Sequence, residues 1–260
     1  MTAAIEPAKG IVGLKGALRY VRAYRDQVFV VKLGGEVLDD ADVLDGVAAQ
    51  LALLASLGIR IVVVHGGGAQ ATALSRRLGI EPELVAGRRI TDDDGTSRQV
   101  DFGHVGDIDR VDPHLLKTLL DARLVPVVAS LAGDEDGGVY NVNADTVAEA
   151  LAVAMGAQKL IFLTGAPGVL RDRNDPATLV TFADPGDLAE LMASGALAGG
   201  MRPKVEACIR AATKGVERTH IIDGRAPDSL LLEVFTGVGC GTMIVGRKER
   251  AAELEADLAD

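Results

Sequence analysis

Four short stretches of the chain carry residue types that could do chemistry. Lys32 ends an apolar run, Val28-Phe29-Val30-Val31, and two residues later come Gly34 and Gly35. Such a run reads as a strand buried on both faces, as in parallel sheets. A lysine at its end is held rigidly, and the glycines beyond it bare backbone N–H groups to whatever the ammonium faces. A phosphate suits that setting; a strand-end lysine reaching solvent before an ordinary glycine turn gives the same pattern. His65-Gly66-Gly67-Gly68 closes a second apolar run and opens a helix, where amides and dipole favour an anion. His65 reads as a structural hydrogen-bonding residue rather than a base. Asn141-Val142-Asn143-Ala144-Asp145 places three polar side chains at the entry of an apolar helix. Capping by Asn143, with Asp145 against the dipole, needs fewer than three. Gly199-Gly200-Met201-Arg202-Pro203-Lys204 brings a second lysine to a helix start. Two lysines, an aspartate and glycine amides, without a Cys/His cluster, suit phosphoryl transfer, which asks for positioning and charge neutralisation more than covalent chemistry. The Walker A pattern is absent.

The elements that must position these residues alternate. An amphipathic helix with Leu14, Ala17, Leu18, Val21 and Tyr24 on one face precedes the first strand, while residues 1–10 read as disordered. Its use is to pack on its own sheet or, with slightly more weight, to dock on another subunit. Then follow a helix over Val43–Leu57, a strand Ile59–Val64 and a helix to about Leu78. A helix Pro113–Ala122 leads to a strand Leu124–Ala129, a helix Ala144–Met155 to a strand Lys159–Leu163, and a helix Val205–Thr213 to a strand Thr219–Ile222. A strand Thr242–Val245 precedes an acidic tail read as frayed helix. Alternation of this kind predicts an α/β fold, a three-layer αβα sandwich around a mostly parallel sheet. Ligands in such sheets bind beyond the carboxyl ends of the strands. Gly34-Gly35, Gly66-Gly67-Gly68, and Thr164-Gly165 with Pro167-Gly168 all fall at such ends.

The 260 residues fit one large unit or two fused lobes. Apolar residues make up 48% and aromatic residues 3%, so aliphatic side chains must fill the core. A net charge of −10 argues against nucleic-acid binding. Cys208 and Cys240 have neither metal-ligand nor disulfide spacing and read as small buried hydrophobes in a reducing compartment. No run approaches the ~20 apolar residues of a membrane span, so a cytoplasmic, membrane-free protein is expected.

The motifs also resemble, in order and over nearly the whole chain, the amino acid kinase family, and within it the acetylglutamate kinases. The matching pieces are VVKLGG at 30–35, VVVHGGG at 62–68, GRRITD at 87–92, VGDIDRV at 105–111 and YNVNADT at 140–146. They continue with KLIFLTGAPGVL at 159–170, GGMRPKVEAC at 199–208, HIIDGR at 220–225 and GCGTMIVG at 239–246. The resemblance implies a carbamate-kinase-like fold and phosphorylation, by ATP with Mg²⁺ on its phosphates, of the side-chain carboxylate of N-acetyl-L-glutamate in arginine biosynthesis. It implies no protein-held metal. Lys32 and Lys204 would flank the transferring phosphoryl group, and Asp145 would hold both. Gly34, Gly35, Gly67 and Gly68 would donate N–H bonds to nucleotide and substrate. Arg89 would pair a substrate carboxylate with its planar fork, and Asn141 would bind the acylated amino acid. Gly165, Ala166, Pro167, Gly168, Val169 and Leu170, with Ala196, Leu197 and Ala198, would line the nucleotide pocket. ALRYVRAYRDQ at 17–27 resembles the interlacing helix of arginine-inhibited hexameric members, which forms the arginine site with the segment around Glu233–Gly241; residues 1–26 would be the N-terminal tail and that helix. A homo-oligomer, dimer or hexamer, with L-arginine as feedback inhibitor is implied. The kinase domain would span 27–246, as a substrate lobe (27–135) and a nucleotide lobe (136–246), before the tail 247–260.

One stretch departs from the pattern. Between Asp92 and Gly103 family members carry several dozen residues, whereas Asp93–Phe102 alone bridges the gap here. Glu81–Val111 shows no convincing core helix or strand. A deletion variant with impaired activity, a compact kinase with a reshaped acceptor pocket, and a sequence with a stretch omitted all fit. So do another acceptor (carrier-linked aminoadipate or glutamate, or carbamate) and an arginine-binding subunit without turnover.

Overall fold

The computed structural model describes residues 7–67, 84–85, 88–89, 106–195, 197, 199–237 and 239–246. Helix α1 (Pro7–Tyr24) leads into β1 (Val28–Leu33), a short α2 (Gly35–Leu38), α3 (Ala41–Ser56) and β2 (Arg60–His65). A two-residue ribbon, β3 (Leu84–Val85) with β4 (Arg88–Arg89), comes next, then α4 (His114–Asp121) and β5 (Val127–Ala129). The hairpin β6 (Leu131–Gly133) and β7 (Val139–Asn141) delivers the chain to α5 (Ala144–Met155) and β8 (Lys159–Thr164). The remainder is β9 (Phe182–Ala183), α6 (Pro185–Ala193), α7 (Met201–Thr213), β10 (Arg218–Asp223), α8 (Ser229–Phe235) and β11 (Thr242–Val245).

Seven strands form one sheet in the order β5-β2-β1-β8-β10-β11-β9. All pairings are parallel except β10 with β11. Strand order reverses direction between β1 and β8: the chain first builds outward through β2 and β5, then returns to the other side of β1. Such a switch point opens a crevice at the strands' carboxyl ends. Side chains alternate across the sheet, as a pleated strand requires. Val30, Val62, Val64, Leu160 and Phe162 meet α5, α6 and α7 on one face. Phe29, Val31, Ile61, Val63 and Ile161 meet α3 and α8 on the other. The expected three layers are present.

Several boundaries differ from expectation for local reasons. Helix α1 begins at Pro7, inside the stretch read as disordered. Its last turn packs on its own body, Tyr24 being buried against Phe29 with ring centroids 5.2 Å apart. The strand expected from Leu124 starts at Val127, because the Leu124 N–H is still spent on Leu119 of α4 and Pro126 has no N–H to give. Helix α7 starts at Met201 rather than Val205, since a proline in the first turn loses no helical hydrogen bond. The β3–β4 ribbon, the β6–β7 hairpin, α2, α6, α8 and β9 are too short or too mixed in pattern to announce themselves. The helix expected to about Leu78, the acidic tail and residues 93–102 lie outside the described residues. Among the described residues no helix is long and apolar enough to cross a membrane.

Candidate active site

Lys32 is the last but one residue of β1 and lies between Val64 of β2 and Phe162 of β8. The pleat turns it to the α5 face, where its chain is buried except for 7% of its surface. Helix α5 begins there because Asn143 caps it, its side chain accepting the N–H groups of Asp145 (2.8 Å) and Thr146 (3.4 Å). The cap fixes Asp145 in the first turn. Lys32 Nζ lies 2.8 Å from Asp145 Oδ1, and Lys204 Nζ donates to Oδ2 at 3.2 Å. Lys204, in the first turn of α7, also donates to the Gly200 carbonyl at 3.3 Å. Three residues from three separate elements thus share one ion-paired centre. The Lys32 contact is off the direction of an aligned hydrogen bond, so the buried Oδ1 keeps a lone pair without an aligned donor.

The glycine turns gather around this centre. A Cβ on Gly66 would meet Ala144 of α5 at 3.3 Å, which sets the turn after β2 beside the start of that helix. Gly67 faces open space, as do Gly199 and Gly200 before α7. Gly34 is different: its N–H donates to the Leu163 carbonyl at 2.8 Å, and a Cβ there would lie 2.8 Å from that same oxygen. Close packing against β8 therefore explains Gly34, and its amide is already committed. Gly35 beside it is more open, a Cβ there meeting only Asp39 Oδ2 at 4.0 Å.

The segment after β8 is built by Thr164, whose Oγ1 accepts the Ala166 N–H at 3.0 Å. Gly165, Ala166 and Pro167 are partly accessible, whereas Gly168 and Val169 are buried. The Val169 N–H donates to Thr242 Oγ1 at 2.8 Å, and its side chain belongs to the core, so it offers no wall to a ligand. Leu197 is likewise buried. Asn141 ends β7 with an exposed side chain, its carbonyl accepting the Gly106 N–H at 3.1 Å. Arg89 is described only as backbone, paired with Leu84 in the ribbon. Gly68, Ala196 and Ala198 lie outside the described residues.

Two groupings escaped the sequence reading. On the α8 face, Glu233 Oε1 is 2.7 Å from His220 Nδ1, and His220 Nε2 is 3.1 Å from Lys159 Nζ. Burial, then the Lys159 charge, push His220 down to about 4, so the ring is neutral. Burial would raise Glu233, but the His220 hydrogen bond and the amides of Cys240 and Gly241 outweigh it and hold the carboxyl at about 2. An ionised carboxylate only accepts, so Nδ1 carries the proton and Nε2 receives the lysine N–H. The second grouping joins Asp223, Arg225 and Gly165. Neither thiol is a nucleophile at neutral pH: burial first of all pushes both Cys208 and Cys240 up to about 12.

An ammonium pair tied to one carboxylate at a parallel-sheet switch point, with glycine turns beside it, has the charge and the backbone amides that suit a phosphorylated ligand. The chain belongs to the amino acid kinase family, whose sequence profile matches residues 27–94 and 83–223. It is 40% identical to the acetylglutamate kinase of Synechococcus sp. (strain RCC307), over 91% of this chain and 94% of that protein. The Moorella thermoacetica (strain ATCC 39073 / JCM 9320) acetylglutamate kinase is 36% identical over 88% and 95%. In fold the chain is similar to N-acetylglutamate synthase from Neisseria gonorrhoeae complexed with coenzyme A and L-arginine (TM-score 0.81, 24% identity, 90% of this chain and 65% of that one). Giardia lamblia carbamate kinase bound to AMP-PNP shares the fold more distantly, with a TM-score of 0.59 and 17% identity over 85% and 98%. The Synechococcus alignment spans 278 positions, more than the 260 residues of this chain, so that relative carries residues without a counterpart here. The family match comes in two pieces that overlap at 83–94, next to the stretch where the sequence departs from the family pattern.

Proposed function

We infer that the chain transfers the γ-phosphoryl group of ATP to the side-chain carboxylate of N-acetyl-L-glutamate, an acyl-phosphate-forming step of arginine biosynthesis. The observation that carries this reading is the Lys32–Asp145–Lys204 centre. A carboxylate oxygen of the acceptor attacks the γ-phosphorus while the bond to the β–γ bridging oxygen breaks, leaving ADP and the acyl phosphate. The acceptor is already ionised at neutral pH, so no proton must be removed, and Asp145 is free to serve as organiser. Lys32 and Lys204, held apart by its two oxygens, neutralise charge on the phosphoryl oxygens as the bond changes. Gly35 and Gly67, with Gly68, supply amides to phosphates and acceptor, and the turn Gly165–Pro167 borders the nucleotide. Arg89 and Asn141 hold the acceptor. Mg²⁺ would arrive with ATP and supply charge neutralisation on its phosphates, which suits a centre whose one carboxylate is engaged by two lysines.

The test is acyl phosphate trapped with hydroxylamine. Lys204→Ala is expected to lower kcat by about 10²–10³, the cost of losing one pre-set charge in such a site. Activity retained in that variant sinks the assignment. The overlap at 83–94 touches the acceptor side, so the same assay is run with carrier-linked aminoadipate or glutamate and with carbamate; turnover of one of these alone moves the acceptor and keeps the chemistry. The resemblance puts L-arginine at α1 and the segment around Glu233–Gly241, where the structure packs α8 beside α1. Inhibition in this assay, or a rise in melting temperature without turnover, separates an effector of a kinase from the ligand of an inactive subunit.

A further inference from the structure

Arg225 stands just beyond β10, on the sheet edge that holds Lys32, and takes no part in the centre described above. Its guanidinium grips Asp223 with two bonds, Nε to Oδ1 at 3.0 Å and Nη2 to Oδ2 at 2.9 Å. Its backbone N–H reaches the same Oδ1 at 2.9 Å. Nη2 also donates to the Gly165 carbonyl at 2.5 Å, a residue 60 positions earlier in the chain. An accessible Arg–Asp pair is ordinarily of little energetic consequence. What matters here is the backbone it is fastened to.

Gly165 is wedged from its other side. A Cβ on it would lie 2.9 Å from Glu36 Cγ, and one on Gly34 would lie 2.9 Å from Glu36 Oε2. Glu36 therefore fills the space between the two glycine turns. Gly224, between the clamp residues, donates to the Thr164 carbonyl at 2.9 Å, and a Cβ there would strike Val37 Cγ2 at 2.7 Å and Leu163 Cβ at 2.9 Å. Segments 34–36, 163–165 and 223–225 are interlocked at backbone distance, leaving little room for one to shift without the others. A planar fork that holds a carboxylate and a carbonyl at once does a task that a lysine, a point charge on a flexible stem, does not.

We propose that Arg225 is a positioning residue for the nucleotide: by tying the Gly165 carbonyl to Asp223 it sets the turn after β8 and, through Glu36, the Gly34–Gly35 turn after β1. The inference rests on the nucleotide-binding reading above and deepens it. The experiment compares full-length Arg225→Gln, Arg225→Lys and Asp223→Asn with wild type by calorimetric ADP titration and by hydroxamate kinetics. Loosening one binding turn makes the ligand order it on arrival, so the ADP Kd and the ATP KM are expected to rise about ten-fold in Arg225→Gln. Arg225→Lys, keeping the charge but not the fork, falls close to Arg225→Gln, while kcat and the acceptor KM stay within about two-fold. Nucleotide constants within about two-fold of wild type overturn the proposal, as does full rescue by lysine, which would make the effect one of charge. A lowered melting temperature with unchanged ADP affinity also overturns it. Should Arg225→Gln fail to fold, Arg225→Lys and Asp223→Asn carry the same comparison. Wild type that binds ADP but turns over no acceptor sinks the activity and leaves the clamp test intact; wild type that binds no ADP sinks both.

Discussion

Replacing Asp145 by asparagine keeps the side chain's shape and removes the one charge that two ammonium groups share. Lys32 and Asp145 are each 8% exposed at the side chain and Lys204 18%, so little water replaces the lost partner. Stripping a buried pair of one member costs about 3–5 kcal/mol when the other has nowhere to go. Two ammoniums held on one carboxylate repel by roughly 3 kcal/mol at an effective dielectric near 20. Lys204 can relieve that repulsion by turning outward, since it starts from the edge of α7, so a stability loss of about 2–3 kcal/mol is expected. Turning outward takes it off the phosphoryl path. Loss of kcat is then about 10²–10³, equivalent to about 3–4 kcal/mol of transition-state stabilisation. The nucleotide, freed of a neighbouring carboxylate, binds no more weakly, so the ATP KM stays level or falls. Hydroxamate kinetics give kcat and KM, and urea melts give the stability. A kcat within about ten-fold of wild type, or a large rise in ATP KM with kcat preserved, refutes the role of Asp145 as organiser.

Acid stability follows from the α8-face cluster. His220 and Glu233 are both held below their ordinary values of 6.5 and 4.5, so the unfolded chain takes up protons that the folded one refuses. Stability is therefore whole above about pH 6.5 and drains away as the pH falls towards 4 and then 2, by on the order of 2–3 kcal/mol for the histidine step. Urea midpoints measured from pH 7 to 4 should show this slope, and His220→Gln should flatten its upper part. Gly168 has φ +149°, and a Cβ there would lie 2.6 Å from Thr242 Oγ1, 2.8 Å from Leu179 Cδ1 and 3.1 Å from the Thr242 nitrogen. Gly168→Ala should cost about 2–4 kcal/mol in a denaturant melt, whereas Gly137→Ala, at φ +88° with open space, should cost about 1 kcal/mol. Equal losses in the two would remove the packing explanation.

The three residues of the ion-paired centre could be read from the chain because each has a local signature. Lys32 closes a buried strand, Asp145 sits in the first turn of a helix capped by Asn143, and Lys204 follows a glycine pair into a helix. Their meeting depends on strand order, which local pattern suggests only through the alternation of strands and helices. What escaped depends on pairings distant in sequence. Gly34 looks like a phosphate glycine, yet its amide is consumed by Leu163, a matter of how β8 lies against β1. Val169 reads as part of a ligand turn, yet Thr242, 73 residues later, draws it into the core. Arg225 falls within the HIIDGR match, yet nothing local marks its task, because its meaning lies in the Gly165 carbonyl. Pro203 concealed the first turn of α7, since a proline breaks a helical pattern by eye while costing nothing at that position.

The layout also separates chemistry from choice of acceptor. Lys32, Asp145 and Lys204 come from β1, α5 and α7, which are joined by the sheet and by contacts on one of its faces. Among the described residues these contacts lie outside 83–94, where the two pieces of the family match overlap. On the proposed reading, a change on the acceptor side can therefore alter which carboxylate is accepted, and how tightly, without moving the charges that the phosphoryl group meets. If so, the factor by which Asp145→Asn lowers kcat is the same for every acceptor that turns over, however widely their KM values spread. A factor that varied with the acceptor would mean that Asp145 also reads the acceptor, and that the two tasks are not separable in this fold.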